Sequence, residues 1–260
     1  MKEKFILIDV GNTALKWATL DNPDNPHTIV HNGEGHFKKE LYELWKSINP
    51  THVLGCTVAA PEIAFSLTKF FNEHHIRWEW VRSAEQFTSS GFVLRNGYAR
   101  YKQLGADRWY AAIGALSYIP DEPLLVVHMG TATTVDSVFL EEPNVYRFQG
   151  GRIAPGPSLM HSSLLETIPT LNKGLSVYKA FPSSTEEAIT AGIIDSQVGL
   201  VLRSVDAMRS QGQEPHVILA GGAAQFIAPH LQSAVPNLII RHNLVLGGLA
   251  RRAHQINGEL

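Results

Sequence analysis

A strand, a glycine turn and a second strand occur twice in this chain, and this repeat constrains its fold most strongly. The first copy, FILIDVGNTALKWATL at 5–20, sets an apolar run before Asp9 and turns at Gly11. The second copy, LLVVHMGTATTVDSVF at 124–139, has the same order, with Gly130 at the turn. The two glycines are 119 residues apart in a chain of 260, an offset too long for a solenoid and suited to two copies of one domain. Two unrelated hairpins are the alternative, because glycine turns between strands are common.

The remaining chain alternates apolar strand-like runs with amphipathic helix-like segments, which predicts an α/β protein. One linker candidate, YIPDEPLL at 118–125, places two prolines and two acids between a long helical pattern and a new strand. We therefore predict an N-terminal domain at 1–118 and a C-terminal domain at 119–260.

Composition favours a small-molecule partner. The formal charge of −2 and the pI near 6.6 give no electrostatic basis for binding bulk nucleic acid or a membrane surface. The only cysteine, Cys56, cannot form an internal disulfide and lies in a strand-like run, which fits a reducing compartment. No stretch approaches the roughly 20 apolar residues of a membrane span, and no export signal is recognisable. A cytoplasmic location is the expectation.

The two turns carry the residue types that bind phosphate. Glycine allows close backbone approach, and the turn amides with Asn12, Thr13 and Thr131 can donate hydrogen bonds to phosphate oxygens. Asp9 suits Mg²⁺, which is usually held by one or two carboxylates, waters and nucleotide phosphates. Lys16 can add positive charge there, although a solvated strand lysine is the alternative. Neither a P-loop nor a strand-linked G-x-G-x-x-G motif occurs, so two facing turns would have to clamp the nucleotide.

The segment LGADRW at 104–109 is the best candidate for acid–base chemistry. Asp107 and Arg108 fall where a helix is predicted to begin. One interpretation is a helix cap with a structural arginine, because the helix dipole favours a carboxylate there. The other is that Asp107 accepts a hydroxyl proton while Arg108 binds an anionic group of the substrate.

Three further segments admit both a structural and a functional interpretation. GGRIAPG at 150–156 can form a stiff loop over a cleft or a plain connection. AGGA at 220–223 can allow close approach of a purine or ribose, or form a packing turn. Thr185 precedes two glutamates, a pattern typical of a helix cap.

Read together and in order, DVGNT, GADR, GTATT, GGRIAPG and AGGA resemble the motifs of type III pantothenate kinases, members of the acetate and sugar kinase, heat-shock chaperone and actin superfamily. The resemblance extends from residue 6 to about residue 250. It implies two ribonuclease-H-like domains with an interdomain cleft and a homodimer. It also implies ATP-dependent phosphorylation of pantothenate to 4′-phosphopantothenate, the first step of coenzyme A biosynthesis.

The resemblance also implies roles for individual residues. Asp107 would be the proton acceptor, and Asp9 would bind Mg²⁺. The residues implied for ATP are Asp9, Val10, Gly11, Asn12, Thr13, Ala14, Leu15, Lys16, Gly130, Thr131 and Thr134. The residues implied for pantothenate are Tyr98, Gly105, Ala106, Asp107, Arg108 and Thr185.

Two positions depart from the family pattern. His128 stands where an aspartate associated with a monovalent cation is usual, and neutral imidazole is a poor ligand for potassium. The sequence therefore leaves open whether K⁺ or NH₄⁺ is required. Tyr101 stands where proline is expected, which would change loop stiffness without removing a catalytic group.

Two other functions remain compatible with the motifs. Another small-molecule kinase or a phosphatase could use the same phosphate turns. A non-catalytic accessory factor for a transcriptional regulator could retain the nucleotide-binding fold, although it would have no chemical need for Asp9, Asp107 and Arg108 together.

Overall fold

The structure of the protein is a computed structural model, and it describes residues 4–31, 33, 37, 39–171 and 174–259. The strands are β1 (Phe5–Val10), β2 (Ala14–Thr19), β3 (His27–Val30), β4 (His52–Thr57), β5 (Arg77–Trp80), β6 (Gln86–Ser89), β7 (Phe92–Asn96), β8 (Leu124–Met129), β9 (Ala132–Glu142), β10 (Val145–Pro155), β11 (His216–Ala220) and β12 (Leu238–Ile240). The helices are α1 (Lys39–Ile48), α2 (Pro61–Glu73), α3 (Ala106–Leu116), α4 (Pro157–Thr167), α5 (Thr185–Arg209), α6 (Ala224–Leu231) and α7 (Leu244–Ile256). Short 3₁₀ helices cover Tyr101–Gln103 and Pro169–Leu171.

The α/β class and both copies of the strand-turn-strand motif are confirmed. In each copy the two strands pair antiparallel, with Val10 opposite Leu15 and Met129 opposite Thr133. The first strand of each copy is buried almost throughout, because it lies inside its sheet and packs on both faces.

The chain separates into two compact units. Unit 1 comprises residues 1–121, 141–148 and 243–260, and unit 2 comprises 122–140 and 149–242. The first change of unit falls inside the predicted linker, whereas the C-terminal helix α7 belongs to unit 1. The division into domains at 1–118 and 119–260 stays a prediction.

Unit 1 contains a five-stranded sheet in the order β3-β2-β1-β4-β5. Strands β1 and β4 are parallel and in register, with Asp9 opposite Cys56, so their carboxyl ends meet at one edge of the sheet. A core that includes Trp17, Trp45 and Phe71 packs on this sheet with helices α1 and α2. Strand β7 pairs antiparallel with β6 and parallel with the first residues of β10.

Helices α3 and α7 pack closely in unit 1 because glycine stands at their contact. A Cβ at Gly114 would lie 2.0 Å from the carbonyl oxygen of Leu244, and one at Gly248 would lie 2.1 Å from that of Tyr110. Such distances exclude any side chain. The contact fixes helix α3, and with it the residues at its N-terminus.

Unit 2 contains strands β12, β11, β8, β9 and the later part of β10, in that order. Strand β8 pairs parallel with β11 and antiparallel with β9. Helices α5 and α6 cover a core that includes Val127, Leu219 and Ile227. Among the described residues, one helix, α5, is long and apolar enough to cross a membrane by length and composition, and half of its most apolar window is buried inside the protein. A core helix of a globular protein has the same properties.

Candidate active site

The first glycine turn joins β1 to β2 in unit 1. The amide of Gly11 donates to the carbonyl of Ala14 at 3.0 Å, which closes the turn, while Asn12 and Thr13 are exposed at its tip. The turn therefore presents exposed polar groups beyond the carboxyl end of a buried strand. This is the arrangement that the sequence predicted for a phosphate-binding turn.

Asp9 lies at that carboxyl end and is directly opposite Lys16 on β2. Burial raises the pKa of the Asp9 carboxyl from 3.8 to about 6, Lys16 lowers it, and the charge of Asp107 raises it again. The charge of Asp107 thus acts on Asp9 within unit 1, although the two residues are 98 positions apart in the sequence. Burial, with Asp9 and Asp107 as further causes, also raises the pKa of the Cys56 thiol, which keeps this cysteine protonated.

Asp107 lies in the first turn of α3. The N-cap of this helix is Gly105, and no side chain makes a capping hydrogen bond to it. Burial raises the pKa of the Asp107 carboxyl above 3.8, while hydrogen bonds from the backbone amides of Arg108 and Asp107 and the charge of Arg108 lower it. The net increase makes the carboxylate a stronger base.

Arg108 and Tyr98, predicted separately to bind substrate, are in direct contact. The guanidinium of Arg108 donates to the Tyr98 hydroxyl at 2.9 Å. It also lies over the rings of Tyr98 and Phe148, at 5.9 and 5.8 Å from their centres, and the residue is only 7% exposed. These contacts hold the positive charge in one place next to Asp107, because a guanidinium stacked on aromatic rings loses rotational freedom.

Gly105 and Ala106 line a cavity of about 860 Å³ in unit 1. A Cβ at Gly105 would lie 2.5 Å from Oδ1 of Asp107, so glycine leaves room for that carboxylate. The cavity is also bordered by the 3₁₀ helix Tyr101–Gln103. Tyr101, the residue in place of the expected proline, is held there because its carbonyl accepts from the Ser83 hydroxyl at 2.8 Å.

The second glycine turn joins β8 to β9 in unit 2. The amide of Gly130 donates to the carbonyl of Ala132 at 3.0 Å, and Thr131 is exposed at the tip. Thr134 lies opposite His128 on the neighbouring strand, and both side chains are partly buried. His128 therefore occupies the place that Asp9 has at the first turn, as the alignment of the two copies predicted.

Two glycine motifs left open by the sequence pack directly on this second turn. The amide of Gly156 donates to the Thr131 carbonyl at 2.9 Å, and a Cβ at Gly156 would lie 2.0 Å from the Gly130 carbonyl oxygen. Gly221 has φ +93°, and a Cβ there would lie 2.3 Å from the Met129 carbonyl oxygen. GGRIAPG and AGGA thus support the turn through backbone contact, a role that spacing along the sequence could not reveal.

Thr185 is the first residue of α5, in unit 2, and is exposed. The helix is capped by Ser184, whose hydroxyl accepts from the amide of Glu187, so Thr185 itself is not the cap. Thr185 lines an apolar groove of about 830 Å³ between α4 and α5. It is therefore available for a ligand contact.

The first turn has the donor set expected for Mg²⁺ bound with a nucleotide. The Asp9 carboxylate is partly buried, its pKa is raised, and no hydrogen bond from another described residue offsets this burial. A cation would supply the missing compensation. Within the described part of the chain no group of three or more His, Cys, Asp or Glu residues could hold a metal by itself. Mg²⁺ is usually held by one or two carboxylates together with waters and phosphates.

Solved structures define the class of the fold. The chain is similar to a Campylobacter jejuni protein assigned to the Baf family of transcriptional activators, with a TM-score of 0.59 and 21% identity over 98% of this chain and 100% of the other. It is also similar to a Sinorhizobium meliloti protein assigned as a 2-dehydro-3-deoxygalactonokinase, with a TM-score of 0.56 and 12% identity over 97% and 99%. The protein has the two-domain α/β fold of actin-like ATPases and sugar kinases, as predicted.

The sequence relatives identify the family within that class. The type III pantothenate kinase family model matches residues 5–207. A type III pantothenate kinase of Herminiimonas arsenicoxydans is 35% identical over 94% of this chain and 95% of the relative, and one of Acidovorax ebreus (strain TPSY) is 34% identical over 98% of each. The chain belongs to the type III pantothenate kinase family and is an ATP-dependent kinase.

Proposed function

We propose that this protein transfers the γ-phosphoryl group of ATP to the 4′ hydroxyl of pantothenate and that Asp107 is the catalytic base. The observation that carries the assignment is the pair of carboxylates in unit 1. Burial raises the pKa of both, and the charge of Asp107 raises the pKa of Asp9 further, so a cation at this place would be favourable. Membership of the type III pantothenate kinase family supports pantothenate as the acceptor of the phosphoryl group. The positions of the two carboxylates support different roles for Asp9 and Asp107.

The reaction conserves atoms and charge in one displacement. The pantothenate hydroxyl oxygen forms a bond to the γ-phosphorus of ATP, the bond from that phosphorus to the bridging oxygen breaks, and ADP leaves. The hydroxyl proton passes to the Asp107 carboxylate. Its raised pKa brings it closer to neutral pH, which favours acceptance of a proton.

The two glycine turns are proposed to bind the phosphates of ATP. In unit 1 the turn residues Gly11, Asn12 and Thr13, with Lys16 on β2, supply amides and positive charge. In unit 2 the residues are Gly130, Thr131 and Thr134. Asp9 is proposed to hold Mg²⁺, which when bound neutralises developing negative charge on the phosphates. Catalysis then depends mainly on positioning and charge neutralisation.

Pantothenate is proposed to bind beside Asp107. Pantothenate carries a carboxylate, and Arg108 is held rigidly against Tyr98 and ready to pair with it. Gly105 and Ala106 border the adjoining cavity, and Thr185 is proposed as a further contact.

We further infer a cytoplasmic homodimer without nucleic-acid or membrane partners. Unit 2 exposes the large apolar side chains of Leu159, which lines the same groove as Thr185, and of Val177 and Phe181. Burial of such side chains against a second copy is favourable. Size-exclusion chromatography with light scattering tests this state, and a monomer at micromolar concentration would contradict it.

The function is tested by coupled phosphorylation of pantothenate with ATP and Mg²⁺, using the parent protein and Asp107→Asn. We expect the variant to fold normally and to lose about 10²- to 10⁴-fold in kcat, the usual contribution of a general base. Asp21→Asn, at an exposed acid of unit 1, is the matched control and retains the parent rate. A variant rate within a few-fold of the parent would remove Asp107 from this role. No turnover by the parent protein would favour the accessory function instead.

A further inference from the structure

His31, immediately after β3, contacts both sides of the first glycine turn, yet no sequence motif includes it. Its side chain is 6% exposed. Its Nε2 atom lies 3.0 Å from the carbonyl oxygen of Gly11, and its backbone amide donates to the carbonyl of Thr13 at 2.9 Å. One residue therefore restrains the carbonyl groups on both sides of Asn12.

The second ring nitrogen fixes which tautomer makes these contacts. The backbone amide of Gly33 donates to Nδ1 of His31 at 3.0 Å. An accepting Nδ1 carries no proton, so the hydrogen of the neutral imidazole lies on Nε2 and is donated to Gly11. The ring is also packed edge-on against Phe37, with 5.9 Å between the ring centres. Its orientation is thus set by two hydrogen bonds and one aromatic contact.

The hydrogen bond to the Gly11 carbonyl also fixes the direction of the Asn12 N–H, because both groups belong to one peptide. In a trans peptide, the carbonyl of one residue and the N–H of the following residue point in opposite directions. Because the Gly11 carbonyl is turned toward His31, the N–H of Asn12 is turned away from His31. Asn12 is exposed at the tip of the turn, and no described residue accepts a hydrogen bond from this N–H, so the donor remains available to a ligand.

We propose that His31 is a positioning residue for nucleotide binding, which holds the Gly11–Asn12 peptide so that the Asn12 amide donates to a phosphate oxygen of ATP. This rests on the proposed function of the turn. An amide that already points at its ligand need not reorient on binding, and a hydrogen bond to a phosphate is charge-assisted and therefore strong. Without the restraint, the peptide can rotate and present its carbonyl oxygen, which repels phosphate.

Substitution of His31 by Gln or Asn, whose side chains carry an amide, tests the role of the Nε2 donor apart from that of the imidazole ring. In His31→Gln the side-chain nitrogen is three bonds beyond Cβ, as Nε2 is in histidine, so it can still donate to Gly11. In His31→Asn the side-chain nitrogen is one bond shorter and cannot reach. His31→Phe keeps the ring against Phe37 and removes both ring hydrogen bonds.

The experiment measures binding of Mg²⁺ with a non-hydrolysable ATP analogue by calorimetry, together with KM for ATP and for pantothenate. We expect His31→Asn and His31→Phe to weaken analogue binding and raise KM for ATP about 10-fold, the effect of losing one charge-assisted hydrogen bond. We expect KM for pantothenate to stay at the parent value. His31→Gln is expected to restore nucleotide binding to within about threefold of the parent, because it keeps the donor.

The outcomes distinguish this inference from the function on which it rests. If the parent neither binds the analogue nor phosphorylates pantothenate, the proposed function fails. If the parent is active and His31→Asn binds the analogue as the parent does, the positioning role is wrong. Equal losses in both KM values for all three variants, with lower melting temperatures and no rescue by glutamine, would also overturn it and leave His31 a structural residue.

Discussion

In the first glycine turn the Gly11 amide donates to the Ala14 carbonyl, and in the second the Gly130 amide donates to the Ala132 carbonyl, at 3.0 Å in each case. The supports of the two turns differ. A side chain, His31, binds the carbonyl of Gly11, whereas backbone atoms of Gly156 and Gly221 pack against the second turn. The first turn is therefore supported by a side chain, and the second by backbone hydrogen bonds and close packing of glycines.

The difference extends to charge. The strand before the first turn has Asp9 next to its last residue, where burial raises the pKa of the carboxyl more than Lys16 lowers it, and the strand before the second turn has His128 at the corresponding place. Only the first turn thus has an anionic ligand at this position. The comparison teaches that two copies of a strand-turn-strand motif can differ by one residue in turn length and carry a carboxylate before the turn in one copy only.

The largest expected effect is the loss of activity when the charge of Asp9, beside the first turn, is removed. Asp9→Asn is expected to lower kcat/KM by about 10²- to 10⁴-fold, because a bound metal supplies several kcal/mol of transition-state stabilisation. His128→Asn at the second turn is the matched variant and is expected to stay within about threefold of the parent, since imidazole is a poor ligand for hard cations. Steady-state kinetics across Mg²⁺ concentrations measures both. Equal losses in the two variants would contradict the assignment of the metal to the first turn alone.

Asp9→Asn also tests, in the absence of ligands, how the buried charge of Asp9 affects the free energy of unfolding. The folded-state pKa of Asp9, about 6, lies above its ordinary value of 3.8, so the folded protein binds this proton more tightly than the unfolded chain does. The contribution of Asp9 to stability is therefore fully present below pH 3.8 and is lost as pH rises through 6. Asp9→Asn removes this loss and is expected to raise the free energy of unfolding at pH 8 by at most about 3 kcal/mol relative to the parent.

Urea unfolding without nucleotide or Mg²⁺, at pH 8 and at the lowest pH where both proteins fold, measures the difference between the two proteins. This difference should shrink at the lower pH. A difference that does not change with pH would show that burial of the charged Asp9 carboxylate does not destabilise the folded protein.

The third prediction concerns the glycines that support the turns. Gly156→Ala places a Cβ 2.0 Å from the Gly130 carbonyl oxygen and is expected to reduce the free energy of unfolding by about 1–3 kcal/mol, as overpacking does. Its φ of −74° suits alanine, so the cost is steric. Gly11→Ala, whose nearest contact would be 3.4 Å away, is expected to cost less than about 1 kcal/mol. Similar losses at both glycines would mean that the two turns are supported alike.

The smallest expected effect concerns monovalent cations. With His128 at the second turn, K⁺ or NH₄⁺ is expected to change turnover by less than about twofold, because hard cations prefer oxygen ligands. His128→Asp supplies such a ligand and is expected to make turnover depend on K⁺. Turnover measured in K⁺, NH₄⁺ and a bulky organic cation compares the two proteins. A strong requirement for K⁺ in the parent would show that other oxygens hold the ion.

The sequence predicted the most apolar strands and missed two short strands with exposed side chains. FILIDV and LLVVHM, the first strands of the two copies, predicted β1 and β8, because a run buried on both faces is apolar at nearly every position. Strands β3 and β6 were not predicted, since each has four residues and largely exposed side chains. Their identity as strands depends on pairing with β2 and β7, which a local pattern does not record.

By itself, the sequence determined the α/β class, the repeated strand-turn-strand motif, the family and the candidate residues for the chemistry, because strand alternation, glycine turns and spaced acids are all local patterns. Only the tertiary structure decided that the charge of Asp107 raises the pKa of Asp9, that Arg108 donates a hydrogen bond to Tyr98, and that His31 supports the first turn. These contacts join residues from different strands and helices. Their distances follow from the register of sheets and the packing of helices such as α3 and α7, which the order of residues along the chain does not specify.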